Sequence, residues 1–311
     1  MIIAVVAGLA SGTAIIALAY GSQIGMLLVY FTHLPLLLVG LGLGTVAAGV
    51  SAAAGGVLVG VTGGVVPLAM FAVVFAVPSV LVTRQALLSR ATAGGGLEWY
   101  PPGRMLSLLM GYGVLAFFAV YLSMAGREIG LAGELELVMD EVFATFFPDL
   151  DDDERSAVVS QWATMLPASL VATWLTIIAI NAAIAQKVLV RTGRNRRPSL
   201  DLGRIELPLP LAYAMAASGA LWLFTDGEPA FIGETLTIIC ASAYLFMGLA
   251  VIHHVTRPWP GRAISLTFFY LVLLFVLGLP GFALVAGLGL ADQLIGVRQR
   301  FVNAPADKED E

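Results

Sequence analysis

Few side chains in this 311-residue sequence are placed to do chemistry. His33, Asn181, Glu234, His253 and Asp292 lie within apolar runs, with His254 next to His253 and Arg298 just past Asp292. An ionisable or strongly polar group in hydrocarbon is costly, so it calls for an internal partner, a proton path or a ligand contact. His33, Asn181, Glu234, His253, Asp292 and Arg298 are therefore the candidate functional residues. Asn181 and Asp292 fall about 8–9 Å inside the basic ends of their spans at 1.5 Å per residue, a depth that lets them face each other. His33 precedes Pro35 by two residues and is placed to bond a carbonyl that the proline frees. The plain alternative for each is a buried structural hydrogen bond.

No enzyme is legible. The chain has no H-E-x-x-H, G-x-S-x-G or Walker A run, and it has only two lysines. Ser218 with His253 or His254 offers a nucleophile and a base. However, Ser218 lies about 11 residues, or roughly 16 Å, from the inner end of its span, while the histidines sit at that end. The single cysteine, Cys240, has no partner, so neither a disulfide nor a cysteine metal site is expected. The run Asp149-Leu150-Asp151-Asp152-Asp153-Glu154 starts like a calcium loop, but Glu154 stands where glycine is needed and Ser160 where the bidentate glutamate belongs. Acids that charge a helix first turn are the better reading. No cofactor is implied.

The elements that hold these residues are membrane spans. Hydrophobic residues make up 59% of the chain, charged residues 12%, and mean hydropathy is +0.91, too little polar surface to cover a soluble globule. Apolar runs at 2–20, 25–42, 44–62, 65–82, 105–124, 162–187, 207–224, 232–254, 263–278 and 281–297 give an all-α polytopic bundle of eight to ten spans. The last two are short. The link Gly278-Leu279-Pro280-Gly281 reads either as an outer turn or as the bend of a re-entrant pair. The first run lacks a basic n-region and reads as an uncleaved span. Trp99, Trp162, Trp222 and Trp259 fall near span ends, and Trp174 does not.

Charge orders these runs. Loops 83–104, 187–206 and 255–262 are rich in Arg, while 125–161 and 225–234 are acidic. With both termini cytoplasmic, 14 of the 16 basic residues lie inside, and only Arg127 and Arg155 lie outside. The loop carrying Arg191, Arg194, Arg196, Arg197 and Arg204 then reads as topogenic charge, with contact to anionic lipid as a by-product and no nucleic-acid role.

Four regions follow: small-residue-rich helices at 1–124, an extracytoplasmic acidic segment at 125–161, further membrane helices at 162–300, and an acidic disordered tail at 301–311. The run 40–64, with Gly8-x-x-x-Gly12, suits close helix packing within the chain or docking of another membrane protein. In the acidic segment, Leu131, Leu135, Val138, Met139, Val142 and Phe146 make one helical stripe, which reads as cover over the outer span ends or as a ligand lid.

Glu98-Trp99-Tyr100-Pro101-Pro102-Gly103-Arg104, opening a cytoplasmic-side helix, and Gly289-Leu290-Ala291-Asp292 followed by Arg298-Gln299-Arg300 resemble the YybS-like family of bacterial membrane proteins. That family has no assigned function and is distantly similar to the S components of energy-coupling-factor transporters. The resemblance implies the bacterial inner membrane, an S-component-like core, ligand capture from outside and docking through small residues of the first helix. It carries over no substrate residue, and the chain has more spans than a minimal S component. The expectation is a transport-related, ligand-binding or permease-like subunit of unknown substrate, in contact with the lipid bilayer. A non-transport envelope scaffold is the alternative. Transport requires His33, Asn181, Glu234 and Asp292 to share a polar cavity.

Overall fold

The computed structural model describes residues 1–124, 126–199, 203 and 205–303, and among them the chain is almost wholly helical. Eight helical runs are long and apolar enough to cross a bilayer, and α10 (Leu209–Phe224) is a shorter apolar helix. Two compact units result: Met1–Met105 with Trp174–Leu200, and Leu106–Thr173 with Asp201–Glu311.

The first unit begins with α1 (Ile2–Ala19), α2 (Gln23–Leu28) with a 3₁₀ turn at Val29–Phe31, α3 (His33–Leu43) and α4 (Thr45–Gly63). A single residue, Gly44, joins α3 to α4 at φ 110°, a backbone region that favours glycine. The small residues read in the sequence are used within the chain, where they bring α1 against α4. A Cβ on Gly12 would stand 3.0 Å from the Gly55 carbonyl oxygen, and one on Gly55 would stand 2.7 Å from that of Gly8.

The next span is α5 (Val65–Phe71), a π turn (Ala72–Ala76) and α6 (Val77–Ala86). Pro78 has no N–H for the Val74 carbonyl four residues back, and the Trp174 indole Nε1–H donates to that carbonyl instead at 2.8 Å. This is why Trp174 sits away from the span ends, half-buried. A two-stranded hairpin, β1 (Ser89–Ala91) and β2 (Leu97–Trp99), follows, and Pro102 then opens α7 (Pro102–Met124).

In the second unit, α8 (Gly130–Phe146) is the expected amphipathic helix. Its Leu131 packs with Phe117 of α7 and Phe231 of α11 (Glu228–Val255), and Leu135 lies against the same cluster. The covering role is thus limited to the first half of the stripe, because Val138, Val142 and Phe146 remain exposed. Asp152, Asp153 and Glu154 form the first turn of α9 (Asp152–Arg191), where their charge favours the helix N-terminus. Helix α10 packs on α11 through Gly233, where a Cβ would come within 2.8 Å of the Ser218 carbonyl oxygen.

The spans expected at 263–278 and 281–297 are instead one 34-residue helical run, Arg262–Ile295. It comprises α12 (Arg262–Val272), a π turn (Leu273–Leu277) and α13 (Gly278–Ile295), with Gly278 at φ 51°. Glycine at positive φ bends the path without an extramembrane loop, so Pro280 sits in the first turn of α13, where its missing N–H costs nothing. Helix α14 (Val297–Asn303) closes the described chain. The rest of the acidic tail, together with Arg204 of the basic loop, lies outside the described residues.

Candidate functional site

Buried polar groups of the first unit converge where the 3₁₀ turn meets α3. The Ser11 hydroxyl donates to the Thr32 carbonyl at 2.9 Å, and Asn181 Nδ2–H donates to the Tyr30 carbonyl at 2.8 Å. A change of helix type leaves carbonyls without ideal partners, and short polar side chains satisfy them there. His33, fully buried, places Nδ1 2.9 Å from Ser79 Oγ and its ring 5.1 Å from that of Phe75. His33 thus bonds a hydroxyl of α6, and the carbonyl that Pro35 was expected to free is not its partner. His33 Nε2 and Asn181 Oδ1 are buried with no hydrogen-bond partner.

At the Arg-rich ends of the same unit the loop after α9 acts as a staple. Arg196 Nε–H donates to the Gly42 carbonyl in the last turn of α3 at 3.1 Å. Arg197, only 6% exposed, donates to the last carbonyl of α6, Ala86, at 3.2 Å and to the Tyr100 carbonyl at 2.9 Å. It also contacts Met105 Sδ at 3.7 Å and lies 6.0 Å from the centre of the Trp99 ring. Free carbonyls at helix C-termini carry partial negative charge and attract cations. Burial pushes the Arg197 guanidinium below its usual pKa, although it stays charged at any physiological pH. The Gln186 amide fixes the loop by donating to the Arg197 carbonyl at 2.7 Å. The segment 98–104 therefore has a visible job. Trp99 and Tyr100 hold Arg197, Pro101 and Pro102 start α7 with Gly103 and Arg104 in its first turn, and Glu98 pairs with Arg90 across the hairpin at 2.7 Å.

In the second unit the last turn of α13 is tied by Asp292 and Arg298. Gly296, at φ 66° and ψ 48°, ends the helix and turns the chain, so that residue 298 folds back over residue 292. The backbone N–H and Nε–H of Arg298 donate to the two oxygens of Asp292, each at 2.7 Å. Its remaining nitrogens donate to the Gly203 carbonyl at 2.7 Å and the Ile205 carbonyl at 3.0 Å. The pair is largely out of water, with side chains 3% and 12% exposed. Next to it, Gln293 donates to the Leu207 carbonyl at 2.7 Å and accepts from the Tyr244 hydroxyl. A cavity of about 980 Å³ opens beside this group, bounded by Glu206, Met247, His254, Asp292, Arg298 and Arg300 among others.

A family model described as "Predicted membrane protein (DUF2232)" matches residues 12–293. The chain belongs to this family. No curated protein and no solved structure matches it. The DUF2232 match runs from α1 to the residue after Asp292, so it takes in both units and leaves Arg298 outside.

Within this DUF2232 chain the sequence candidates divide. His33 and Asn181 meet at one helix joint. Asp292 lies in the other unit, where Arg298 rather than Asn181 engages it. Glu234 is half-buried near the start of α11, apart from the Asp292–Arg298 pair at the end of α13. His253, at the far end of α11, places Nε2 2.8 Å from the Tyr270 hydroxyl, and Arg262 donates to its carbonyl at 3.3 Å. Of the four residues expected to share a cavity, only Asp292 lines the one described. Reading the sequence missed Gln186, Ser79 and Glu206, and it named Arg300 only within the resemblance motif. It also missed the structural role of Arg197, whose loop looked like topogenic charge alone.

Proposed function

We propose that the chain is a multi-pass protein of the bacterial cytoplasmic membrane that does no chemistry of its own and serves as a scaffold for a membrane assembly. One observation carries this reading. Its intramembrane polar groups are taken up by partners within their own unit: in the first, Asn181 by a backbone carbonyl and His33 by Ser79 at one helix joint, and in the second, Asp292 by Arg298. A translocation path needs such groups free to meet what passes. Purification of the tagged chain from native membranes in mild detergent tests it. A stoichiometric complex without a nucleotide-binding subunit is expected, and recovery of an ATPase pair overturns the reading.

The second reading, a transport-related ligand-binding or permease-like subunit similar to S components, draws support from the cavity beside Asp292, although His33, Asn181 and Glu234 do not line it. Uptake by proteoliposomes carrying the chain and any co-purifying ATPase would replace the scaffold reading with it.

Charge sorting supports both termini on the cytoplasmic side, with the acidic α8 outside. The single run Arg262–Ile295 sharpens the test of that map. A reporter fused after the last residue reads cytoplasmic if this run enters and returns, and extracytoplasmic if it crosses once.

A further inference from the structure

Two exposed charges on the cavity of the second unit have no ion-pair partner among the described residues. Asp292 and Arg298 neutralise each other on its wall. Glu206 and Arg300 also line it, both exposed, and neither has an ion-pair partner among the described residues, each other included. Beside these, Leu294 and Ile295 present exposed apolar surface at the end of α13. The volume, about 980 Å³, is at the upper end of the range for small-ligand sites.

We infer that this cavity binds a zwitterion. A purely anionic ligand would meet Arg300 and be repelled by Glu206, a cationic one would do the reverse, and a neutral one would leave both charges unmatched. A ligand carrying an anionic group and an ammonium satisfies both. The anion sits at Arg300, the ammonium sits at Glu206, and any hydrocarbon lies along Leu294 and Ile295. Both a zwitterionic lipid headgroup and a free amphoteric solute have this chemistry. The site does not depend on the scaffold reading.

The test uses the purified full chain in detergent, with binding followed by titration calorimetry and native mass spectrometry. The probes are short-chain phosphatidylethanolamine, phosphatidylglycerol with the same chains, and glycerophosphoethanolamine, the same headgroup without chains. Phosphatidylethanolamine should bind at least about tenfold more tightly than phosphatidylglycerol, the difference expected for one hydrogen bond to a charged group. Glu206→Gln and Arg300→Gln should each weaken it by a similar factor, and Glu206→Gln should abolish discrimination against phosphatidylglycerol. Retained binding of the chainless headgroup supports a soluble zwitterion, and its loss supports a lipid. Equal affinity of the wild-type chain for the two lipids overturns the inference without recourse to a variant. Binding indifferent to both substitutions, with unchanged elution and melting, overturns it as well.

Discussion

Arg197 and Arg298 are both buried guanidiniums that bind backbone carbonyls near helix ends, yet their surroundings are opposite in kind. Among the described residues Arg197 has no carboxylate partner. The Ala86 and Tyr100 carbonyls, the Met105 sulfur and the Trp99 ring surround it. Arg298 has two carbonyls and the Asp292 carboxylate. Dipoles orient around a cation without cancelling it, so Arg197 can hold the fold and still count as positive charge on its loop. Arg298 and Asp292 sum to zero. Two residues that weigh equally in a topology tally therefore differ: one both anchors and addresses its segment, and the other only anchors.

The comparison can be broken most directly at Arg298. Arg298→Ala leaves Asp292 as an unpaired buried carboxylate and should cost about 3–5 kcal/mol, read as a lower midpoint of detergent-solubilised unfolding. Adding Asp292→Asn should recover much of that loss, and a double variant as unstable as the single one would show that the carboxylate does not matter. Arg197→Ala removes hydrogen bonds without stranding a charge, so its cost should be smaller, about 1.5–3 kcal/mol by the same measurement. No second-site carboxylate change should rescue it. A loss for Arg197→Ala above that for Arg298→Ala would reverse the contrast.

Trp174→Phe keeps an aromatic side chain, shrinks the indole to one ring and removes the N–H, leaving the Val74 carbonyl without its donor for about 1–3 kcal/mol. Loss of the 280–295 nm fluorescence contribution from one tryptophan gives a check that the intended site was altered. The smallest effect belongs to the exposed Arg90–Glu98 pair. The Arg90 guanidinium holds the Glu98 carboxyl below its usual pKa, so whatever the pair contributes is complete above the ordinary carboxylate range and fades as pH falls through the lowered value. Melting of Glu98→Gln should differ from wild type by a degree or less at neutral pH and not at all in strong acid. A larger gap would make the hairpin more than a loop.

Much of the fold was legible because the bilayer imposes length and apolarity on each span. The helix at 131–146 was legible because its stripe follows the helical period. The single run Arg262–Ile295 was not, since Gly-Leu-Pro-Gly fits an outer turn and a bend equally well and only the folded chain shows the helix continuing across it. Of the site, Asp292 and Arg298 were both named, but their spacing of six is not a helical pairing distance. It becomes one only through the left-handed turn at Gly296. The Asn181 partner was misassigned for a related reason: depth within a span says nothing about which side of the helix a residue occupies. Pro78 did announce an orphaned carbonyl at Val74, but nothing local tells which of five tryptophans would fill it.

That hydrogen bond also sets a clock on synthesis. Val74 and Trp174 are 100 residues apart, so at about 5–20 residues per second the carbonyl leaves the ribosome roughly 5–20 s before its donor exists. For that interval the first helices rest in the membrane with an open acceptor and without the loop that caps α3 and α6. The N-terminal unit is thus finished from behind, by a stretch of chain made after α7 and α8. A nascent chain arrested before residue 174 should hold its opening spans loosely, and one arrested beyond residue 200 should hold them in place.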